Sequence, residues 1–238
     1  MDSATPTSNN LTLLAPSLPQ ANRFGIGANA ATHLMVTITP YAAMDEGDLI
    51  TLFWDNCYVA SKQLTLDDIG QPLTLRVPES FVQSGTIRTW YQVQKVGSRP
   101  ATSPRRKVLI KLDCPGGGLA PTATDENQRL APLALPDMPS HQRLTAKQLK
   151  AGVALTIEAY ENMAAKDEIT LRWGDVRMDL PPINARDVGK PITLKVPAEV
   201  IREAGEDSSL EITYCVIDRV GNNSRWAPIR ALSVPSTA

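Results

Sequence analysis

The chain has 238 residues, of which 42% are hydrophobic and only 5% aromatic, with 19 prolines. That is enough apolar material to fill real cores, too much for a disordered chain, and a composition suited to many short strands joined by turns. The formal charge of −1 provides no global field for nucleic acid or an acidic membrane surface, so neither is an expected partner.

Met1 to Asn10 carries no basic n-region and no apolar h-region, so it does not read as a secretory signal peptide. Residues 1–11 are expected to form a disordered tail. No apolar run approaches the roughly 18 residues that a bilayer-spanning helix needs. A cytoplasmic location, a signal-independent exit and excision from a longer chain all stay open. A proline-rich lead-in, Leu14-Ala15-Pro16, then precedes the first patterned segment.

In Asp48 to Trp54 the even positions Ile50, Leu52 and Trp54 are large and apolar. This period-two alternation predicts a strand with one buried face, and Trp54 shares that face. Leu73, Leu75 and Val77 alternate likewise, and Pro78 stops the run because it cannot donate to a ladder. A turn segment, a strand around Tyr91-Gln92-Val93, a hairpin turn at Gly97 and a last strand over Val108 to Leu112 complete the unit.

The same order then repeats. Residues 36–54, VTITPYAAMDEGDLITLFW, align with residues 155–173, LTIEAYENMAAKDEITLRW, at a shift of 119, and 16 of 43 positions from Val36 to Pro78 are identical without a gap. Self-similarity at that level marks a duplication. Beyond the prolines Tyr91 matches Tyr214, a shift of 123, so the second copy holds a longer connection around Gly205 to Leu210. Its lead-in is Leu130-Ala131-Pro132, its turn glycine Gly221 and its last strand Ile229 to Val234. Between the copies, Cys114-Pro115-Gly116-Gly117-Gly118 and the polar residues to Asn127 read as a flexible connector. A phosphate loop would need Gly-Lys-Ser/Thr opening a helix. The boundaries expected are thus 12–113 for repeat 1, 114–127 for the linker and 128–238 for repeat 2.

About seven short, evenly spaced strands per unit are the pattern of a sandwich. The order of landmarks resembles an immunoglobulin fold, with a tryptophan on a middle strand and a Tyr-x-x motif on a later one. Val93 and Val216 stand where antibody-type domains carry a disulfide cysteine. The phrases GDLITLFW, DIGQPLTLRVP and ITYCV resemble the immunoglobulin-like repeats of large bacterial surface and secreted proteins, over about 36–113 and 153–235. The resemblance implies an all-β chain of two tandem immunoglobulin-like antiparallel sandwiches joined by a Pro/Gly-rich linker. It also implies a secreted or cell-surface, adhesin-like role as stalk, spacer or ligand-binding tip; it does not choose among these.

Signatures of catalysis are scarce. His33 and His141 lie in lead-in segments, are not equivalent under the repeat, and read as inert exposed residues. Cys57, Cys114 and Cys215 form no metal-ligand spacing and read as unpaired thiols. Asp45, Glu46, Asp48, Asp67 and Asp68 could serve a hydrolase, and Asp48 and Asp68, which recur as Asp167 and Asp187, a calcium site in each repeat, but Asp68 and Asp187 precede Gly-x-Pro turns and the first cluster thins in copy two. No cofactor and no metal is expected.

One stretch departs from the repeat. From Arg88 to Lys111 the first copy carries Arg88, Lys95, Arg99, Arg105, Arg106, Lys107 and Lys111 without an acidic residue, whereas Glu206 to Arg230 in the second carries four acids and three bases. If Trp54, Tyr91 and Val93 face in, Phe53 and Trp90 face out on strands that are neighbours in such a sheet. The expected function is a non-enzymatic binding or structural module that contacts a protein partner through Phe53, Trp90 and the basic residues. The alternatives are a carbohydrate- or lipopolysaccharide-binding module using the same residues, and an enzyme of unrecognised type resting on the carboxylates.

Overall fold

The computed structural model describes residues 11–118, 126–137 and 142–236. The chain divides into two compact units, residues 1–112 and 113–238.

Unit 1 contains β1 (Ile26–Gly27), β2 (Met35–Ile38), β3 (Leu49–Trp54), β4 (Cys57–Gln63), β5 (Leu73–Arg76), β6 (Gly85–Gln94), β7 (Ala101–Thr102) and β8 (Arg106–Lys111). One sheet has the order β1-β8-β6-β3-β4, with β7 beside β6, and β2 pairs with β5 in the second. All these pairings are antiparallel except that of β1 with β8. The inward residues alternate along each strand: Val36, Ile38, Leu73 and Leu75 from the small sheet meet Ile50, Leu52, Trp54, Tyr91, Val93, Val108 and Ile110 from the large one. Trp54 is central to this core, where the alternation put it.

Unit 2 repeats the plan with β9 (Val153–Ile157), β10 (Glu168–Trp173), β11 (Val176–Asp179), β12 (Ile192–Val196), β13 (Asp207–Ile217), β14 (Asn223–Trp226) and β15 (Arg230–Val234). The sheets are β11-β10-β13-β14, with β15 beside β13, and β12-β9. Trp173, Leu171, Tyr214 and Ile212 are fully buried between them. Each unit is an immunoglobulin-like β-sandwich held by packing, and Cys57, Cys114 and Cys215 form no disulfide.

The lead-ins are built into the cores. Leu13 and Leu18 are buried in unit 1, where Ser17 bridges Thr37; Leu130, Leu133 and Leu135 are buried in unit 2, where Ala134 bridges Thr156. The Tyr214 hydroxyl donates to the Ala131 carbonyl at 3.0 Å, tying the second lead-in to the central strand. At Gly25 a side chain would run into the Leu109 carbonyl, so only glycine lets β1 close onto β8.

Three expectations change. The strand around Tyr91 begins at Gly85, so much of the anticipated turn is ladder. The extra residues of copy two are absorbed by a helix, Ala198–Ala204, where unit 1 has a 3-10 turn at Glu79–Phe81; a second short helix, Ala146–Ala151, opens with a Thr145/Gln148 capping box. The connector is not loose where it is described. The Gly116 amide donates to Glu161, Gly117 to Cys114, and Asn162 donates to the Cys114 carbonyl. Gly116 and Gly117 are buried at positive φ against Leu130 and Glu161, so these glycines serve a tight turn rather than freedom of motion. The expected tail at residues 1–10, and residues 119–125 of the linker, lie outside the described residues, while Leu11 packs against the unit 1 core.

Both copies share an internal polar pin. Asp48 is buried and accepts from the Tyr41 hydroxyl at 2.7 Å and the Asp45 amide at 3.2 Å; Asp167 accepts from Tyr160 at 3.0 Å and the Ala164 amide at 2.9 Å. In unit 1 the Lys95 ammonium completes the set, 3.0 and 2.9 Å from the two Asp48 oxygens. Burial and then the carboxylate neighbours push the Tyr41 and Tyr160 hydroxyls far above the ordinary phenol range; burial does the same for Tyr214 and raises Tyr91.

Two predictions follow from the pin. Lys95→Met strands the Asp48 carboxylate without its counter-ion and should destabilise unit 1 by roughly 3 kcal/mol, read as an earlier urea transition. The four tyrosines have folded values above their unfolded ones, so their contribution is present below about pH 10 and lost as pH rises further. Phenolate absorbance from Tyr41, Tyr91, Tyr160 and Tyr214 should therefore appear together with alkaline unfolding, not before it.

Candidate functional site

Antiparallel pairing fixes which side chains share the outer face of unit 1. Leu52 pairs with Tyr91 and faces in, so the next pair, Phe53 with Trp90, faces out. Their rings stack at 5.4 Å between centroids and 9° between planes. The register of β6 and β8 then carries Arg105, just before β8, to the other side of Trp90, where its guanidinium lies 4.4 Å from the ring centroid. On β4 a bulge pairs Phe53 with Tyr58 and passes over Val59, which turns inward. The result is one transverse row across four chain segments, Tyr58, Phe53, Trp90 and Arg105.

Outward orientation and exposure separate within this row. Trp90 faces out as expected, yet it is only 8% exposed, because Phe53 and Arg105 flank its ring. It cannot serve as an open stacking platform. The exposed aromatic is Tyr58, at 57%, with its hydroxyl 3.0 Å from the Ser61 hydroxyl, and Phe53 is half-buried. Alternation alone does not reveal Tyr58, because the bulge interrupts β4. The only signal near it is an aromatic residue just after the Asp55-Asn56 turn.

The basic residues divide. Arg88 and Lys107 are directly opposed on β6 and β8, both exposed, two pairs along from Trp90 and so on its side of the sheet. Arg99 is exposed in the hairpin after β6; Arg106 is exposed but lies on the opposite parity, facing Thr89. Lys95, expected in the same set, is removed from it by its ion pair with Asp48. Above the aromatic row a polar band runs through Ser61, Thr51, Gln92 and Thr102, with Gln92 donating to the Thr102 hydroxyl at 3.1 Å.

Two of the carboxylates considered for catalysis or calcium have structural work. Asp48 is the buried pin, and Asp68 is bound by Lys62 and by the Thr65 amide and hydroxyl, which hold it down at about 2. Among the described residues no three His, Cys, Asp or Glu converge as a metal site, and no helix is long and apolar enough to cross a membrane. His33 is exposed, and His141 lies outside the described residues.

Unit 2 places different chemistry at the same positions. Arg172, paired with Thr213, replaces Phe53 opposite Trp90, and its guanidinium lies 5.5 Å from the Trp226 ring centroid, with Arg177 at 6.0 Å. This arginine–tryptophan group was not anticipated from the sequence. Glu211 binds Arg172 at 3.2 Å. Unit 2 also opens a groove of about 380 Å³ beside Leu180, Pro181, Ile183 and Ile192. Pro181 occupies the repeat position of Lys62, whose side chain crosses to Asp68 in unit 1.

No family model and no curated protein matches the sequence. Among solved structures the chain is similar to a 1.5-MDa bacterial ice-binding adhesin, at 13% identity over 96% of this chain and 67% of that one, with a TM-score of 0.41. It is similar to fibronectin(III)-like modules of Clostridium thermocellum CbhA, at 10% identity over 93% of each chain and a TM-score of 0.43. It is also similar to Bacteroides ovatus SGBP-B in complex with a mixed-linkage heptasaccharide, at 13% identity, 93% of this chain, 47% of that one and a TM-score of 0.28. The chain thus spans about half the length of that last protein. The fold of each unit rests on its own strand order and core.

The flanked position of Trp90 sets an expected mutational contrast. Trp90→Ala should cost unit 1 roughly 3 kcal/mol, a value typical of a large buried side chain, whereas Arg105→Ala should cost only about 0.5–1 kcal/mol. Urea unfolding of the two variants measures both.

Proposed function

We propose that the chain is a non-enzymatic binding module of a bacterial surface, secreted or assembly protein, contacting a protein partner through the outer face of unit 1. The observation that carries this reading is the row Tyr58–Phe53–Trp90–Arg105. It lies across the outer face of one sheet, and its central ring is already flanked on both sides. Tyr, Trp and Arg are the residues enriched at the energetic centres of protein interfaces, where a rigid, pre-ordered side chain loses little entropy on binding. The commitment of Asp48 and Asp68 to internal partners supports the non-enzymatic part, and the resemblance of the repeat phrases supports the surface or secreted setting.

A second reading, glycan binding, is favoured by the band of hydroxyls and amides at Ser61, Thr51, Gln92 and Thr102 beside the exposed Tyr58. One comparison separates the two. Immobilised wild type should retain a discrete protein from cell extract, Tyr58→Ala should lose it at unchanged stability, and a glycan array should stay blank. Selective array binding that disappears in Tyr58→Ala would replace the protein reading with the glycan one.

A further inference from the structure

The lower corner of the same face holds an arrangement that folding alone does not favour. Arg88 and Lys107 stand directly opposite each other on antiparallel strands, both exposed. Like charges in that relation repel and weaken the ladder. Lys107 follows Arg105 by two residues and so projects to the same side, while Arg105 is itself held over Trp90. Among the described residues none of Arg88, Arg99, Arg105, Arg106 or Lys107 forms an ion pair, although Lys62, Arg76 and Lys95 of the same unit each have a carboxylate partner. A nearby carboxylate, Asp55, accepts from the Arg88 backbone amide at 2.9 Å.

The duplication supplies an internal control. The pair equivalent to Arg88 and Lys107 is Glu211 opposite Ala231, and there the acid is bound to Arg172. The same backbone position is therefore compatible with a pair that holds no like charges and whose one charge is met locally. Unit 1 instead keeps two opposed cations and a third fixed beside them.

Resting on the reading of this face as a protein-binding surface, we propose that Arg88, Lys107 and Arg105 form a carboxylate-binding corner that recognises an acidic polypeptide segment of the partner. Two guanidiniums offer bidentate donors to carboxylates, and a bound anion relieves the Arg88–Lys107 repulsion. Tyr58, at the far end of the aromatic row, supplies an apolar contact roughly 14 Å away, three strand spacings across the sheet. An acidic polysaccharide fits less well, because the ring faces of Trp90 on which a sugar would stack are occupied.

The test uses the full chain, with poly-L-glutamate, polygalacturonate and anionic lipid vesicles as probes, at low and physiological salt. Poly-L-glutamate should bind in preference to the other two and weaken with salt. The double variant Arg88→Gln, Lys107→Ala should lose at least about tenfold in affinity, while Arg76→Ala changes nothing. Without ligand, the double variant should melt higher than wild type, because the repulsion is gone. No binding of poly-L-glutamate, equal binding by the double variant, or a lower melting temperature in that variant would each overturn the proposal. A preference for polygalacturonate or vesicles would assign the corner to an acidic glycan or a membrane surface instead. If Tyr58→Ala loses the captured protein while the double variant retains it, the face remains a binding surface and only its charge recognition falls.

Discussion

The pairing of Leu52 with Tyr91 and of Phe53 with Trp90 determines both the inside and the outside of unit 1. A slip of one residue between β3 and β6 would carry Ile50, Leu52 and Trp54 to solvent and bring Phe53 into the core. Each such side chain contributes roughly 1.5–3 kcal/mol by burial, so the hydrophobic set locks the register. The outer row is then placed as a by-product of that lock. Arg105 reaches Trp90, and Arg88 faces Lys107, only because β6 is simultaneously in register with β8.

The duplication kept this constraint and changed the outward aromatic positions that it leaves open. Leu171 pairs with Tyr214 and Arg172 with Thr213, the same register, with the inward leucine and tyrosine kept and the outward Phe53 and Trp90 replaced. The Tyr–Asp pins at Tyr41–Asp48 and Tyr160–Asp167 are equally conserved between copies, because a buried carboxylate needs its donors in either unit. By contrast, the aromatic-on-aromatic stack of one face becomes an arginine–tryptophan group on the other.

Properties that depend on neighbours along the chain were legible in the residues: the buried tryptophans, the outward placement of Phe53 and Trp90, and the turn glycines. Those set by a third segment were not. The low exposure of Trp90 comes from Arg105, fifteen residues downstream, and the loss of Lys95 from the basic stripe comes from Asp48 on another strand. Tyr58 escaped because a bulge breaks the alternation that would have revealed it. The connector misled for a related reason. Gly116 and Gly117 have the composition of a loose tether, but they are needed where the chain turns tightly against Leu130 and Glu161.

The parallel closure of β1 on β8 has a mechanical meaning. Ile26 pairs with Ile110 and Gly27 with Lys111 in the same chain direction, and in unit 2 Arg143 and Ser233 make the corresponding parallel bridge. Tension applied through the two ends of a unit draws these neighbouring segments in opposite senses along their length. The hydrogen bonds between them then share the load in shear, instead of opening one after another as a hairpin does when peeled. Gly25, which admits the close approach of the two segments, is therefore part of a clamp that takes the load once the lead-in, bridged at Ser17 to Thr37, has been drawn away.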